Sequence, residues 1–172
     1  HVEIQVDRNH PVGNKHRAGV CDILIESAIT TIQDCEDSVS TVDAEDKVRV
    51  YSNWNGIMMG SLTVTFEKNG QNVTRQLNPD RVYTTPQGKT LTLPGRSLLL
   101  IRNVGLHIYT DTVQKNGSNI PEGFLDAMVT SLAAIHDLKG SGRFRNSKTG
   151  NIYIVKPKLH GPEEAAFTIE LF

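Results

Sequence analysis

The pattern of apolar and polar positions predicts strands alternating with helices. Val2 to Val6 alternates as a short strand, and Asn9 to Asn14, with Pro11 and Gly13, reads as a loop. Ala18 to Ile25 is compatible with helix or strand, and the pattern does not separate the two. Ala28 to Cys35 is apolar and β-branched at Ile29, Thr30, Thr31 and Ile32, then polar at Asp34, Glu36, Asp37 and Ser38. That predicts a buried strand whose C-terminal end carries acids. Asp43 can cap the helix that follows, and Glu45 and Asp46 suit its positive first turn. Val50, Trp54, Ile57 and Met58 give this helix an apolar face, and Gly60 ends it.

Leu62, Val64 and Phe66 alternate, Asn69-Gly70 turns, and Val73, Arg75 and Leu77 alternate back, which is a hairpin pattern. Asn78 to Lys89 is expected as loop and Asn116 to Asn119 as a turn. Ser97 to Ile101 is a continuous apolar strand ending in Arg102-Asn103. Pro121 to Leu138 is the clearest helix, with Leu125, Met128, Val129, Leu132 and Ile135 on one face, the expected core face. Gly140 to Gly150 is expected to be a mobile, basic loop. Ile152 to Val155 reads as a buried strand running into Lys156-Pro157-Lys158, and Pro162 with Glu163 and Glu164 opens a last helix.

Apolar strands alternating with helices imply an α/β fold with parallel strands covered on both faces. Function in such folds gathers at the C-terminal ends of the strands. The expected ends carry Asp34, Glu36, Asp37 and Ser38, then Arg102 and Asn103, then Lys156, Lys158 and His160. Three separate segments therefore deliver charge to one face.

Composition narrows the classes. The 172 residues hold 18 Lys plus Arg and 19 Asp plus Glu, a net charge of −1, which argues against an electrostatic binder of nucleic acid or membrane surfaces. No stretch approaches the roughly 18–20 apolar residues of a membrane span. Two cysteines, Cys21 and Cys35, are too few for a disulfide framework, and the expected setting is reducing and cytoplasmic. The chain starts at His1 and stops at Phe172 inside the last predicted helix with no closing cap, so it is expected to be a piece of a longer chain.

Each charged end has a functional and a structural reading. Glu36 and Asp37 can serve a metal shell or acid–base chemistry, or can solvate a turn and cap a helix. Arg102 can clamp a carboxylate and stabilise an oxyanion, or can pair with the acids of the neighbouring strand. Lys156 and Lys158 suit an anion-binding end, or are exposed lysines. His160 can be a base or a turn histidine. Cys35 and Trp54 read as core. There is no Gly-rich phosphate loop and no zinc-type spacing.

Several segments, in order, resemble the G form of malate synthase. Thr30-Thr31-Ile32-Gln33-Asp34-Cys35-Glu36-Asp37-Ser38 leads into Val42-Asp43-Ala44-Glu45-Asp46-Lys47. Leu77-Asn78-Pro79-Asp80-Arg81 follows, then Leu93-Pro94-Gly95-Arg96-Ser97-Leu98-Leu99 before Arg102-Asn103-Val104-Gly105. Ile120-Pro121-Glu122-Gly123, Asn146-Ser147-Lys148-Thr149-Gly150 and the run from Tyr153 to Glu164 complete the set.

The resemblance implies condensation of acetyl-CoA with glyoxylate and hydrolysis to malate and CoA, with Mg²⁺, in the cytoplasm and by an enzyme that is monomeric at full length. The implied fold is a TIM barrel interrupted by an inserted α/β domain. Residues 1–27 would end the first part of the insertion, and 28–60 would be barrel strand and helix. Residues 61–96 would be the second, β-rich part, and 97–172 would be barrel again. Arg102 falls at the family's catalytic arginine, which contacts glyoxylate and steadies the enolate. Ser38 and Arg75 fall where acetyl-CoA is contacted. Glu36 and Asp37 match acids that hold the metal's waters. The direct Mg²⁺ ligands and the aspartate base would lie beyond Phe172. A (β/α)₈ barrel needs roughly 250 residues, so this chain alone is expected to be inactive. Gly105-Leu106-His107-Ile108 departs from the family's Gly-His-Leu-Met, so no role passes to His107. Two further readings stand beside this one: a stand-alone relative that binds CoA or a small acid without catalysis, and a shorter lyase or aldolase.

Overall fold

The computed structural model describes residues 1–26, 30–36 and 41–172. The expected strand start at Ala28 and Ile29, and the candidate residues Asp37 and Ser38, lie outside these.

Three of the strands form a parallel sheet. β3 (Thr30–Asp34) and the two-residue β11 (Ile154–Val155) flank β8 (Leu98–Arg102). The register aligns Asp34 with Arg102 on one side and Val155 with Arg102 on the other. Helix α1 (Ala44–Met58) follows β3, α2 (Glu122–Leu138) follows β8, and α3 (Gly161–Leu171) follows β11. This is the strand–helix order that the pattern predicted. No closed barrel forms among the described residues.

The start of α1 matches its capping residues. The Asp43 side chain accepts from the Asp46 backbone N–H at 2.9 Å, and Glu45 and Asp46 occupy the first turn. Past its end, Gly60 takes φ +67°, a left-handed conformation that a glycine adopts without a Cβ penalty. Trp54 and Met58 are buried against α2, where they join Cys35, Ile101, Ala133 and Ala134 in the core.

α2 reverses the expected burial. Gly123, Asp126, Ala127, Thr130, Ala133, Ala134 and Asp137 are inside, whereas Met128 is 71% and Leu132 63% exposed. The reason is local. Small side chains at the inward positions let Trp54 and β8 approach closely, and the inward acids have built-in donors. Asp126 accepts from the Val104 N–H, and Asp137 accepts from the Asn146 and Ser147 N–H groups at 2.5 and 2.8 Å. β3 is likewise less buried than expected, with Ile32 51% exposed.

The remaining strands form two-stranded antiparallel sheets: β1 (Val2–Val6) with β2 (Val20–Ile25), β4 (Thr63–Lys68) with β5 (Gln71–Gln76), β6 (Arg81–Thr84) with β7 (Thr90–Leu93), and β9 (Tyr109–Lys115) with β10 (Ser118–Pro121). Ala18 to Ile25 thus resolves to strand. The Asn69-Gly70 hairpin turns with both residues at positive φ, as its sequence predicts. Two expectations fail. The stretch Asn78 to Lys89 contains β6, and only Asn116-Gly117 of the expected Asn116–Asn119 turn lies outside β9 and β10. Short alternations such as Val82, Tyr83 and Thr84 hide between turn residues. The first hairpin meets the third, since Tyr83 hydrogen-bonds Glu3 and Arg81 pairs with Glu26.

The loop from Gly140 to Gly150 is irregular and is anchored at Asn146 and Ser147. The Asn146 side chain donates to the Leu99 carbonyl and accepts from its N–H, both at 2.9 Å, and Ser147 is fully buried. No helix is long and apolar enough to cross a membrane among the described residues.

Candidate active site at the strand ends

The parallel sheet brings the charged residues of its three C-terminal ends together. Arg102 leaves β8 beside Asp34 of β3, and its Nη1 donates to Asp34 Oδ2 at 2.9 Å. Asp34 also accepts the Glu36 backbone N–H through Oδ1 at 2.9 Å, so one carboxylate orients both the guanidinium and the turn into Glu36. Among the described residues, Arg102 Nη2 and Nε carry no hydrogen bond. The guanidinium keeps donors for a ligand, and the ion pair of the structural reading exists at the same time.

Glu36 is fully buried. Its Oε1 accepts from Lys158 Nζ at 2.5 Å, and its Oε2 has no partner among the described residues. Lys158 holds φ +59°, which is uncommon for a residue with a side chain. Lys156 is half-buried, and its Nζ donates to the Val104 carbonyl at 2.5 Å. Burial lowers the Lys156 pKa, against the pull of Asp126 and Glu36. The two lysines therefore differ: one neutralises a buried acid, and the other braces the backbone beyond Arg102. His160 caps α3 through its backbone N–H, which donates to Glu164 Oε2 at 2.7 Å. His107 folds back over Gly105, where an added Cβ would lie 2.6 Å from its Nδ1.

A buried polar cluster lies beneath these ends. Asp126 is fully buried and accepts from Tyr51 Oη at 2.5 Å, from Lys47 Nζ at 3.2 Å and from the Val104 N–H at 2.8 Å. Lys47 also reaches Glu122 Oε1 at 2.5 Å and the Cys35 carbonyl at 3.0 Å. Burial works to lower the Lys47 pKa, but Asp126 and Glu122 outweigh it and raise it. Burial first, then Asp126, raises the Tyr51 phenol. Burial, with Asp126 next, pushes the Cys35 thiol up to about 12. Sequence reasoning missed Lys47, Tyr51 and Asp126. Asp126 stands among small residues on α2, and that is the available signal.

Arg75 stands apart from this group. It is exposed on β5, with its guanidinium over the Phe66 ring at 5.1 Å, and none of its described contacts reaches the strand ends. A cleft of about 1250 Å³ opens at the other end of β8, beside Ser97, Leu98 and Arg96. It is remote from the ionic chemistry above, and the strand ends carry the stronger case.

Residues 98–172, from β8 onward, match the family described as malate synthase, TIM barrel domain. The whole chain is 59% identical to malate synthase G of Halalkalibacterium halodurans and 52% identical to that of Corynebacterium glutamicum. Along its whole length the chain is similar to malate synthase G. The Corynebacterium efficiens malate synthase G is 49% identical over the same span. The chain spans about a quarter of the length of these relatives, 24% of the first and 23% of the other two. β8 and β11 lie in the matched segment, and with β3 and the helices they make a mixed α/β arrangement.

The residues present fit only part of a metal site. A hard divalent cation takes six or so oxygen ligands. Glu36 Oε2 is a buried, uncommitted carboxylate oxygen, but Glu36 Oε1 and Asp34 are engaged by cations. No group of three His, Cys, Asp or Glu residues converges as a metal site among the described residues. Among the described residues, this donor set does not make up a complete coordination sphere.

Proposed function

We propose that this chain supplies the arginine side of a malate synthase active site, which condenses acetyl-CoA with glyoxylate and water to give malate and CoA. Arg102 carries the reading. It sits at a parallel strand end, is oriented through one nitrogen by Asp34, and among the described residues its other nitrogens carry no hydrogen bond. In a Claisen-type condensation the acetyl group loses a proton and negative charge grows on its carbonyl oxygen. A fixed cation placed there stabilises the transition state more than the ground state. Arg102 is the catalytic residue and also binds glyoxylate.

Ser38 and Arg75 contact acetyl-CoA in this proposal, and the planar guanidinium of Arg75 suits CoA phosphates. Its exposure on a hairpin leaves it accessible. Glu36 and Asp37 would hold the water ligands of a bound Mg²⁺. The bound ion would polarise the glyoxylate carbonyl. Residues 1–27 and 61–96 belong to one inserted α/β domain, 28–60 and 97–172 to the barrel. The contacts of Glu3 with Tyr83 and of Glu26 with Arg81 support that division. The full-length enzyme works in the cytoplasm as a monomer.

The test is CoA release by the full-length protein. The expected result is release that requires acetyl-CoA, glyoxylate and Mg²⁺ together, and none from the 172-residue chain alone. Binding of CoA without turnover would replace this reading with that of a non-catalytic relative.

A further inference from the structure

The backbone around Arg102 is enclosed by a ring of hydrogen bonds. The Arg102 carbonyl accepts the Cys35 N–H at 2.8 Å. The Cys35 carbonyl accepts Lys47 Nζ at 3.0 Å. Lys47 Nζ reaches Asp126 Oδ1 at 3.2 Å, and Asp126 Oδ2 accepts the Val104 N–H at 2.8 Å. Val104 lies two residues beyond Arg102, so the ring closes on itself. Lys156 holds the other polar group of the same residue, the Val104 carbonyl.

We infer that Lys47 and Asp126 are positioning residues, a buried ion pair that fixes the exits of β3 and β8 and thereby aims Arg102 and Glu36. The inference rests on the role proposed for Arg102. Three observations carry it. First, both charges come from helices, Lys47 from α1 and Asp126 from α2, yet each spends a hydrogen bond on the backbone just past a strand end. Second, a buried ion pair is a poor way to join two helices, since an apolar pair of similar volume commonly does as well or better. Third, the bonds fall one residue before Glu36 and two after Arg102, the residues whose aim matters for chemistry.

The experiment uses the full-length protein. Lys47→Met with Asp126→Asn removes both charges, keeps the shapes, and opens the ring at both bonds of Lys47 Nζ, while the amide oxygen at position 126 can still accept the Val104 N–H. Wild-type malate formation is measured first. Its absence removes the proposed function, and this inference with it, before any variant is made. With active wild type, kcat per folded molecule should fall about tenfold, within what ~1 Å of misplacement can cause. The glyoxylate KM should rise severalfold, and the acetyl-CoA KM should stay within about twofold, since Arg102 faces glyoxylate. Lys47→Met alone, which severs the bonds to the Cys35 carbonyl, Asp126 and Glu122, should give the same pattern and covers the case of a double variant that does not fold. Loss of rate only in proportion to the folded fraction, with neither KM moved, would assign the pair a merely structural role and overturn the inference.

Discussion

Lys158→Met isolates one charge in the site. Glu36 is fully buried, and Lys158 Nζ lies 2.5 Å from its Oε1. Unit charges at that separation attract by about 7 kcal/mol at an effective dielectric near 20, an upper bound. Removing one partner of a fully buried pair costs ~3–5 kcal/mol. The Lys158 side chain is 41% exposed, so water screens it and the expected cost falls to ~2 kcal/mol. Methionine keeps the stem and leaves the φ +59° backbone as it is, so the change reports the charge. The assay is hydrogen exchange read by mass spectrometry on the full-length protein, in the peptides covering β3 and β8. A loss of ~2 kcal/mol opens these strands about 30-fold more often, and exchange speeds up accordingly. Adding Glu36→Gln removes the orphaned charge, and the double variant should return to within about threefold of wild type. The reasoning fails if Lys158→Met leaves exchange unchanged, or if the double variant exchanges as fast as the single.

Other consequences follow from the same contacts. Burial pushes the Cys35 thiol from about 9 up to about 12. A group with a raised folded-state value contributes stability that is complete below pH 9 and is lost as pH rises toward 12. The urea midpoint of the unfolding unit that contains Cys35 should therefore drop across that window, and less steeply in Cys35→Ala. Gly123→Ala should lower the thermal midpoint, although alanine normally favours a helix by ~0.5–1 kcal/mol. Its Cβ would lie 2.2 Å from Lys156 Nζ and 3.0 Å from the Val104 carbonyl oxygen. Trp54→Ala should cost ~3–5 kcal/mol in urea unfolding, because the ring is 1% exposed between α1 and α2.

Strong local signals were readable in the sequence. Asp43, Glu45 and Asp46 marked the start of α1, Asn69-Gly70 the hairpin, and Ser97 to Ile101 the central strand, because each rests on interactions within a few residues. The meeting of Asp34 with Arg102 followed from expecting parallel strands with adjacent ends. What escaped depended on tertiary choices. α2 carries two periodic faces, one large and apolar and one small with acids. Hydrophobicity alone favours the first, while the donors at Val104, Asn146 and Ser147 make the second the buried one. Lys47 and Tyr51 look like surface residues of α1 until Asp126 is placed opposite them. The strand β6 is four residues long and framed by Pro79, Asp80 and Pro86, so turn chemistry masks it. The Asn146 anchor has no sequence signature, since it is one amide meeting one peptide of β8.

The most direct test of the account is the kinetic consequence of Arg102→Lys in the full-length protein. Lysine keeps a positive charge but not the fork that can serve Asp34 and an oxyanion together. With acetyl-CoA and glyoxylate saturating, the account predicts a fall in malate formation of roughly 10²-fold, the size seen when one oxyanion donor is lost, with CoA affinity retained. An Arg102→Lys enzyme that forms malate at the wild-type rate would contradict it.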